Sequence, residues 1–433
     1  MKAFTAEAVQ HTTVKRDLRN FLSNILMKVM KMQKPTKRQL EFMDWEVGIF
    51  FHFGIRTYYE GHKDWDLVPM DTKAFNPTKL DCRQWIRAAK SAGTKYAVFT
   101  AKHHDGFANW NSAYTDYSVA NAPWKDGKGD VVREFTDACR EEGVKVGIYY
   151  SPAEFGSRGR DDYDDYFINQ ISELLTNYGK IDYLWFDGCG SENHEYDKPR
   201  IISAIRKMQP EILIFNMWDP DTRWVGNEDG YAPETNFNEV DKVDFSVMTD
   251  NKDKLEVRKF LPAECDCRIR EEWFYSDADK VNLKSLDKLV DMYECSVGHG
   301  ANFLLNVGPD RNGLIQESDV QRLKEFGDKI NELYDGGIEF ESDEITFDEP
   351  GEGAELSQWS VDGITVFENI ENGQFTQKFK ITALCGDNEK TVFEGTTVGH
   401  KRICRFEPVL ADGFKISVDS GKIKKVIIKK END

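Results

Sequence analysis

The chain has no C-x-x-C pair: its eight cysteines are scattered at 82, 139, 189, 265, 267, 295, 385 and 404. That spacing excludes a zinc knuckle and a thioredoxin-type centre, and reduced thiols are the expectation. No G-x-G-x-x-G follows any strand-like run, so a dinucleotide-binding reading loses its main support. No apolar run approaches the roughly 18 residues that span a bilayer, and the opening "MKAFTAEAVQHTTVKRD" has no apolar signal core. The chain is therefore expected to be soluble, cytoplasmic and off the membrane. Positive charge is in deficit, with 57 Lys and Arg against 76 Asp and Glu and a net charge of −19. Nucleic acid, which needs clustered cations to release counterions, is excluded as a partner. What the chain does hold is aromatic surface: 12% Phe, Trp and Tyr, with ten Trp among 433 residues. Such rings suit stacking on the apolar faces of a sugar.

Three regions can be read along the chain. Residues 1–38 form a basic extension in which Phe21, Leu22, Ile25, Leu26 and Val29 recur at helical spacing. Residues 39–338 alternate strand-like runs with amphipathic ones. The strand runs are "VGIFFHFG", "KYAVFTA", "VKVGIYYS", "IDYLWFDG", "EILIFNMW", "KFLPAEC" and "ANFLLNVG". Helical patterns such as "DCRQWIRAAKSAG" and "DVVREFTDACREEG" lie between them and end in glycine. Apolar strands alternating with helices predict an α/β fold, a (β/α)8-like TIM barrel whose parallel sheet is covered by helices. Residues 339–433 change to short alternating runs divided by Gly, Asp and Asn turns, which predicts a C-terminal antiparallel β-sandwich.

In a barrel, side chains that do chemistry stand where the strands end. The strand runs lead into His52, then Lys102, His103 and His104, then Tyr149, then Asp187; the fifth opens a loop with Arg223, Trp224 and Glu228, and the sixth ends in Glu264. His52 alone could be a hydrogen-bonded core residue, Asp187 a turn former before Gly188, and Glu228 a solvated loop acid. Two carboxylates on successive loops, ringed by His and Tyr, suit glycoside hydrolysis. That reaction needs one acid to protonate the departing oxygen and one carboxylate across the anomeric carbon. Two rival readings share the pattern. One is a metal-dependent hydrolase ligated by His52, His103, His104 and Asp187, against which stands the absence of H-x-H or H-x-x-x-H spacing around them. The other is a catalytically silent glycan-binding protein.

The segments "GIFFHFG", "AGTKYAVFTAKHHDGFANWNS", "GVKVGIYYSPAEF", "IDYLWFDG", "RWVGNE" and "SVGHGANFLLNVGPDRNGLI" occur in an order that resembles the α-L-fucosidases of glycoside hydrolase family 29. The resemblance implies a retaining enzyme that removes α-L-fucosyl residues from a fucosylated oligosaccharide or glycoconjugate, with no cofactor and no metal. It makes Asp187 the nucleophile and Glu228 the acid/base, with His52, His103, His104, Tyr149, Asp64 and Trp65 around the sugar and Arg223 and Glu264 as further substrate-binding candidates. The form "RWVGNE" is similar to the subgroup that prefers α-1,3 and α-1,4 linkages. The chain departs from that subgroup at "YYSPAEF", where "YLSPWDR" is common, and at "RIREEWFY", where "SIRPGWFY" is common. These departures make Glu264, Glu271 and Glu272 reserve candidates for the acid.

Overall fold

The computed structural model describes residues 33–61, 70–153, 162–191, 194–246, 249–347 and 358–430. The expected N-terminal helix lies almost wholly outside them. Ten strands occupy the central region: β1 (Val47–Phe51), β2 (Tyr96–Lys102), β3 (Lys145–Tyr150), β4 (Tyr183–Phe186), β5 (Leu213–Phe215), β6 (Arg223–Trp224), β7 (Glu239–Ser246), β8 (Thr249–Phe260), β9 (Ala263–Arg268) and β10 (Asn302–Asn306). All but β7 and β8 join one parallel sheet in the order β5-β4-β3-β2-β1-β10-β9-β6. A bridge between Phe215 and Thr222 links its two ends, so the sheet closes into the expected barrel.

Helix α1 (Lys37–Met43) lies at the foot of the barrel, where Phe42 packs on Tyr96 and Tyr183, and helices α2 (Cys82–Ser91), α3 (Val131–Glu142), α4 (Tyr163–Asn177), α5 (Lys198–Met208), α6 (Leu286–Ser296) and α7 (Glu317–Tyr334) pack outside. Several begin where the sequence supplies an oxygen: the side chains of Asp81, Asp130, Asp197 and Ser285 accept first-turn N–H groups. Gly143, at φ 72°, ends α3 in the left-handed region where a Cβ would be strained. Along the strands the period of two divides the aromatics. Phe51, Phe99, Ile148 and Leu184 pack under the helices, while Phe50, Tyr96, Tyr149, Tyr183, Trp185 and Phe215 fill the barrel. Gly48 is required beneath them, since a Cβ there would come within 2.4 Å of the Tyr96 ring.

The run "KFLPAEC" is not one strand. Pro262 has no N–H to offer a ladder, and it divides β8, which ends at Phe260, from β9, which starts at Ala263. The first part belongs to an antiparallel hairpin of β7 and β8. The eighth barrel strand is the two-residue β6, too short to read as a strand in "DPDTRWVGNEDG".

The C-terminal region forms two antiparallel sheets from β11 (Ile338–Phe340), β12 (Glu344–Thr346), β13 (Trp359–Glu368), β14 (Phe379–Cys385), β15 (Asn388–Gly395), β16 (Arg402–Ala411), β17 (Gly413–Val418) and β18 (Ile423–Ile428). Their orders are β11-β18-β13-β16 and β12-β17-β14-β15, with Val361, Ile364 and Val366 facing Ile381, Ala383 and Phe414 across a shared core. The sandwich is tied to the barrel by polar bonds. Lys401 Nζ lies 2.9 Å from both Glu46 carboxylate oxygens. Gln374 donates to the Asn236 carbonyl at 2.9 Å and accepts from Asn238 N at 3.1 Å. Among the described residues, no helix is long and apolar enough to cross a membrane.

Candidate active site

At the C-terminal mouth of the barrel lies a pocket of about 170 Å³, lined by Phe50, His52, His103, His104, Tyr149 and Asp187 on one side and by Trp224, Glu228, Asp266 and Trp273 on the other. It is smaller than the ~300–1,000 Å³ of sites for drug-sized ligands, a size for one small ring. Its floor is aromatic: Trp185 stacks on Phe215 with centroids 4.1 Å apart and on Tyr149 at 5.4 Å.

Asp187 follows directly on β4, and donors surround its carboxylate. Tyr149 OH donates to Oδ2 at 2.8 Å, Cys189 N donates to Oδ1 at 2.9 Å, and His104 Nε2 lies 3.2 Å from Oδ2. Burial alone would push the Asp187 carboxyl up, but the charge and hydrogen bond of His104 outweigh it and hold the group well below the usual carboxylate range. The converse holds for His104. Burial disfavours the imidazolium, yet Asp187 raises its pKa to about 10. Its second ring nitrogen, Nδ1, donates to Ser151 Oγ at 2.6 Å, and Ser151 in turn donates to the Ala153 carbonyl. The cation is thus anchored from both sides. His52 has the opposite character. Burial, and then the neighbouring His103, drive its pKa well below normal, and Nδ1 meets Asn306 Oδ1 at 2.7 Å. His103 stacks on Tyr149 at 5.5 Å and meets the Phe274 edge at 5.0 Å.

Glu228 lies across the pocket on the loop after β6. Burial raises its pKa, the Arg268 guanidinium opposes that rise, and the Asp187 charge adds to it. Arg268 Nη2 is 3.8 Å from Glu228 Oε2. The opposing carboxylates therefore differ in character: one is held ionised, the other is biased toward its protonated form.

A family model described as alpha-L-fucosidase matches residues 24–332. Alpha-L-fucosidase 1 of Arabidopsis thaliana is 32% identical over 91% of this chain and 86% of its own length. The chain belongs to the α-L-fucosidases, glycoside hydrolase family 29. Among solved structures it superposes on a glycoside hydrolase 29 family member from an unknown rumen bacterium with a TM-score of 0.81, 36% identity, and coverage of 93% of this chain and 78% of that one. For SpGH29 the TM-score is 0.79 at 29% identity, covering 93% and 99%. The chain is thus a glycoside hydrolase with α-L-fucosidase activity.

Two residues expected at the fucosidase pocket lie elsewhere. Glu264 sits near the start of β9, not its end, and is sealed in the barrel interior, where it accepts from Tyr96 OH at 2.6 Å, Trp185 Nε1 at 2.8 Å and Tyr183 OH at 3.3 Å. Arg223 points out of the barrel and donates to Asn236 Oδ1 at 2.6 Å; its neighbour Trp224 takes the inward position. The reserve acids Glu271 and Glu272 are both exposed, with their backbone N–H groups bonded to Asp279. Asp64 and Trp65 lie outside the described residues.

The pocket also holds residues the motifs do not single out. Asp266 is buried, accepts from Trp224 Nε1 at 2.6 Å and has its pKa driven far up by burial. Asn216, at φ 62°, adopts the left-handed backbone that Asn tolerates. Its side chain bonds Trp224 N at 3.1 Å and the Asp244 carbonyl at 2.7 Å, stitching β5 to β6 and to the hairpin. A signal for Asp266 and Arg268 was present: once Glu264 is set inward on a strand, positions two and four residues on share its face.

His103, His104 and Asp187 present ligand atoms within 4.8 Å of one another, the feature a metal-hydrolase reading would need. Both ring nitrogens of His104 are already engaged, and a metal would have to displace a proton held to a pKa of about 10. The set fits an ion poorly.

Proposed function

We propose that the fucosidase acts on terminal α-L-fucosyl residues of oligosaccharides and glycoconjugates by double displacement, with Asp187 as nucleophile and Glu228 as acid/base. The observation that carries this reading is that the two carboxyls line one pocket of about 170 Å³ and that the Asp187 charge raises the Glu228 pKa. In the first step the Asp187 oxygen bonds to the anomeric carbon as the glycosidic C–O bond breaks, and the Glu228 proton passes to the departing oxygen. Forming the ester removes the Asp187 charge. Glu228 then loses one of the influences that raise its pKa and becomes the base that takes a proton from water. Water attacks the anomeric carbon, the ester bond breaks, and its electron pair returns to Asp187, where the His104 cation and the Tyr149 hydroxyl receive it. His52, His103 and Tyr149 stand around the sugar as hydrogen-bonding partners, and the aromatic floor meets its apolar face. Residues 39–338 act as the catalytic domain and 339–433 as an accessory sandwich. The "RWVGNE" loop favours α-1,3 and α-1,4 linkages.

An aryl α-L-fucoside with a good leaving group tests the assignment. Asp187→Ala is expected to lose about three or more orders of magnitude. Glu228→Ala should still form the ester, stall at its hydrolysis, and regain turnover with added azide. Full activity in Asp187→Ala, or azide rescue of Glu264→Ala in place of Glu228→Ala, would refute it. A wild-type protein that binds fucose and releases no phenol would be a binding protein instead. Lewis-type trisaccharides set against 2'-fucosyllactose test the linkage.

A further inference from the structure

The inward face of β9 carries three ionisable residues at successive depths. Glu264 is sealed at the bottom, Asp266 reaches the pocket, and Arg268 stands at the mouth, where the strand ends. Arg268 is placed by two contacts. Its guanidinium lies 5.2 Å from the centroid of the Trp273 ring, and the Trp273 carbonyl is gripped by Asn306 Nδ2 at 2.7 Å. Asn306 is also the residue opposite Arg268 in the β9–β10 register. The cation is therefore carried on a ring that the barrel itself fixes, with its charge 3.8 Å from Glu228 Oε2. Such stacking is a property of the planar guanidinium that an ammonium reproduces less well.

We infer that Arg268 is a positioning residue for the acid/base, holding the Glu228 carboxylate in its ionised form and in place for the second displacement. This rests on the reading of Glu228 given above. The other charges facing Glu228 mostly work against ionisation. Burial raises its pKa most, and Asp187, at the end of β4, and Asp229, on its own loop, add to the rise; the Arg268 charge is the larger opposing influence and a hydrogen bond from Trp273 the smaller. Asp266, on β9, interacts with Glu228 from below. His104 and Arg56 line the same pocket from the side of β1 and β2. While Asp187 is ionised, it and Arg268 pull Glu228 in opposite directions, which suits an acid. In the fucosyl-enzyme the Asp187 charge is gone and Arg268 remains. The balance then tips toward the carboxylate that takes the proton from water as the oxygen of that water bonds to the anomeric carbon and the ester C–O pair returns to Asp187.

The test is the pH profile of hydrolysis of an activated aryl α-L-fucoside, whose kcat reports the second step, for wild type, R268K, R268Q, R268M and E228A, with and without azide. In R268Q and R268M the acidic limb of kcat is expected to move up by about one pH unit, with about a tenfold loss of kcat below it and a much smaller change in kcat/KM. Azide, which needs no general base, should restore the lost turnover. R268K, which keeps the charge, should return most of the limb to its wild-type position. Limbs that stay at the wild-type pH in R268Q and R268M, or a loss that azide does not restore while E228A is rescued, would overturn the inference and leave Arg268 a packing residue. If E228A itself is not rescued, the acid/base reading fails first and the inference falls with it.

Discussion

Asp187 and Glu228 stand on two halves of the barrel that are built differently. On the first half, β1 to β4 are full strands, each followed by a helix after its loop, and Asp187 comes directly after the fourth. Its carboxylate is saturated by groups from adjacent elements: Tyr149 on β3, His104 just past β2, and the backbone of Cys189. On the second half, no helix follows β5 or β6 among the described residues, the strand before Glu228 is two residues long, and a hairpin precedes β9. Glu228 is carried by a loop, and the nearest cation is 3.8 Å away. The difference matches what each group does in the proposed cycle. A nucleophile keeps one ionisation state until it reacts, and a rigid, donor-rich frame supplies that. An acid/base must change state twice per turnover, and a looser site whose charges oppose one another leaves it near its tipping point.

The sharpest way to break this contrast is to remove the cation on the rigid side. With His104→Gln, burial is left as the main influence on Asp187, so its pKa should rise. Asp187 must be ionised to attack, so the acidic limb of kcat/KM should move to higher pH. At neutral pH the loss should be about 100-fold. A pH profile unchanged in shape would mean that the nucleophile is not held ionised by this imidazolium.

How much of this was legible in the sequence follows the same division. His52, His103, His104, Tyr149 and Asp187 follow or end full-length apolar strands, so the alternation of the pattern delivered them to the mouth of the barrel. The second half resisted because its elements are irregular. A two-residue strand has no periodicity to detect. In "KFLPAEC" a hairpin strand and a barrel strand run together, and only Pro262 marks the break; missing it put Glu264 at a strand end when it lies near a strand start. Arg223 failed for the opposite reason: in "RW" a shift of one position exchanges inside for outside. The cluster of Glu228, Arg268 and Trp273 depends on a loop and a strand end meeting in space, which no local spacing encodes.

Glu264 extends the comparison downward, from a carboxyl at the mouth to one sealed in the barrel. Burial raises it to a pKa of about 7, against the hydrogen bonds from Tyr96, Trp185 and Tyr183. An unfolded Glu titrates near ~4.3, so between that pH and about 7 the folded state binds the extra proton. Stability from this group is therefore lost as pH rises through that window. The variant Glu264→Gln stays neutral and escapes the loss. Relative to wild type it should gain on the order of 2 kcal/mol between pH 5 and pH 8, read from denaturant melts, with hydrolysis changed no more than about threefold. An azide-rescuable collapse of activity would instead assign Glu264 to the chemistry.

The smallest expected effect concerns the sandwich, which touches the irregular half of the barrel beside the Glu228 loop. Gln374 brackets the segment that continues from the Glu228 loop, through Asn236 O at 2.9 Å and Asn238 N at 3.1 Å. Arg402 and Thr397 both donate to the Glu234 carbonyl just before it, at 2.9 and 3.0 Å. On the regular half the sandwich meets the opposite end of the barrel, where Lys401 bonds Glu46 just before β1. If the sandwich serves to steady the looser half, Gln374→Ala should lower stability by about 1.5 kcal/mol, because it leaves a buried N–H and a buried carbonyl without partners. It should also lower kcat a few-fold through Glu228 while leaving the acidic limb set by Asp187 where it is. Equal displacement of both limbs would mean that the sandwich supports the barrel as a whole, and that the two carboxylates share one frame after all.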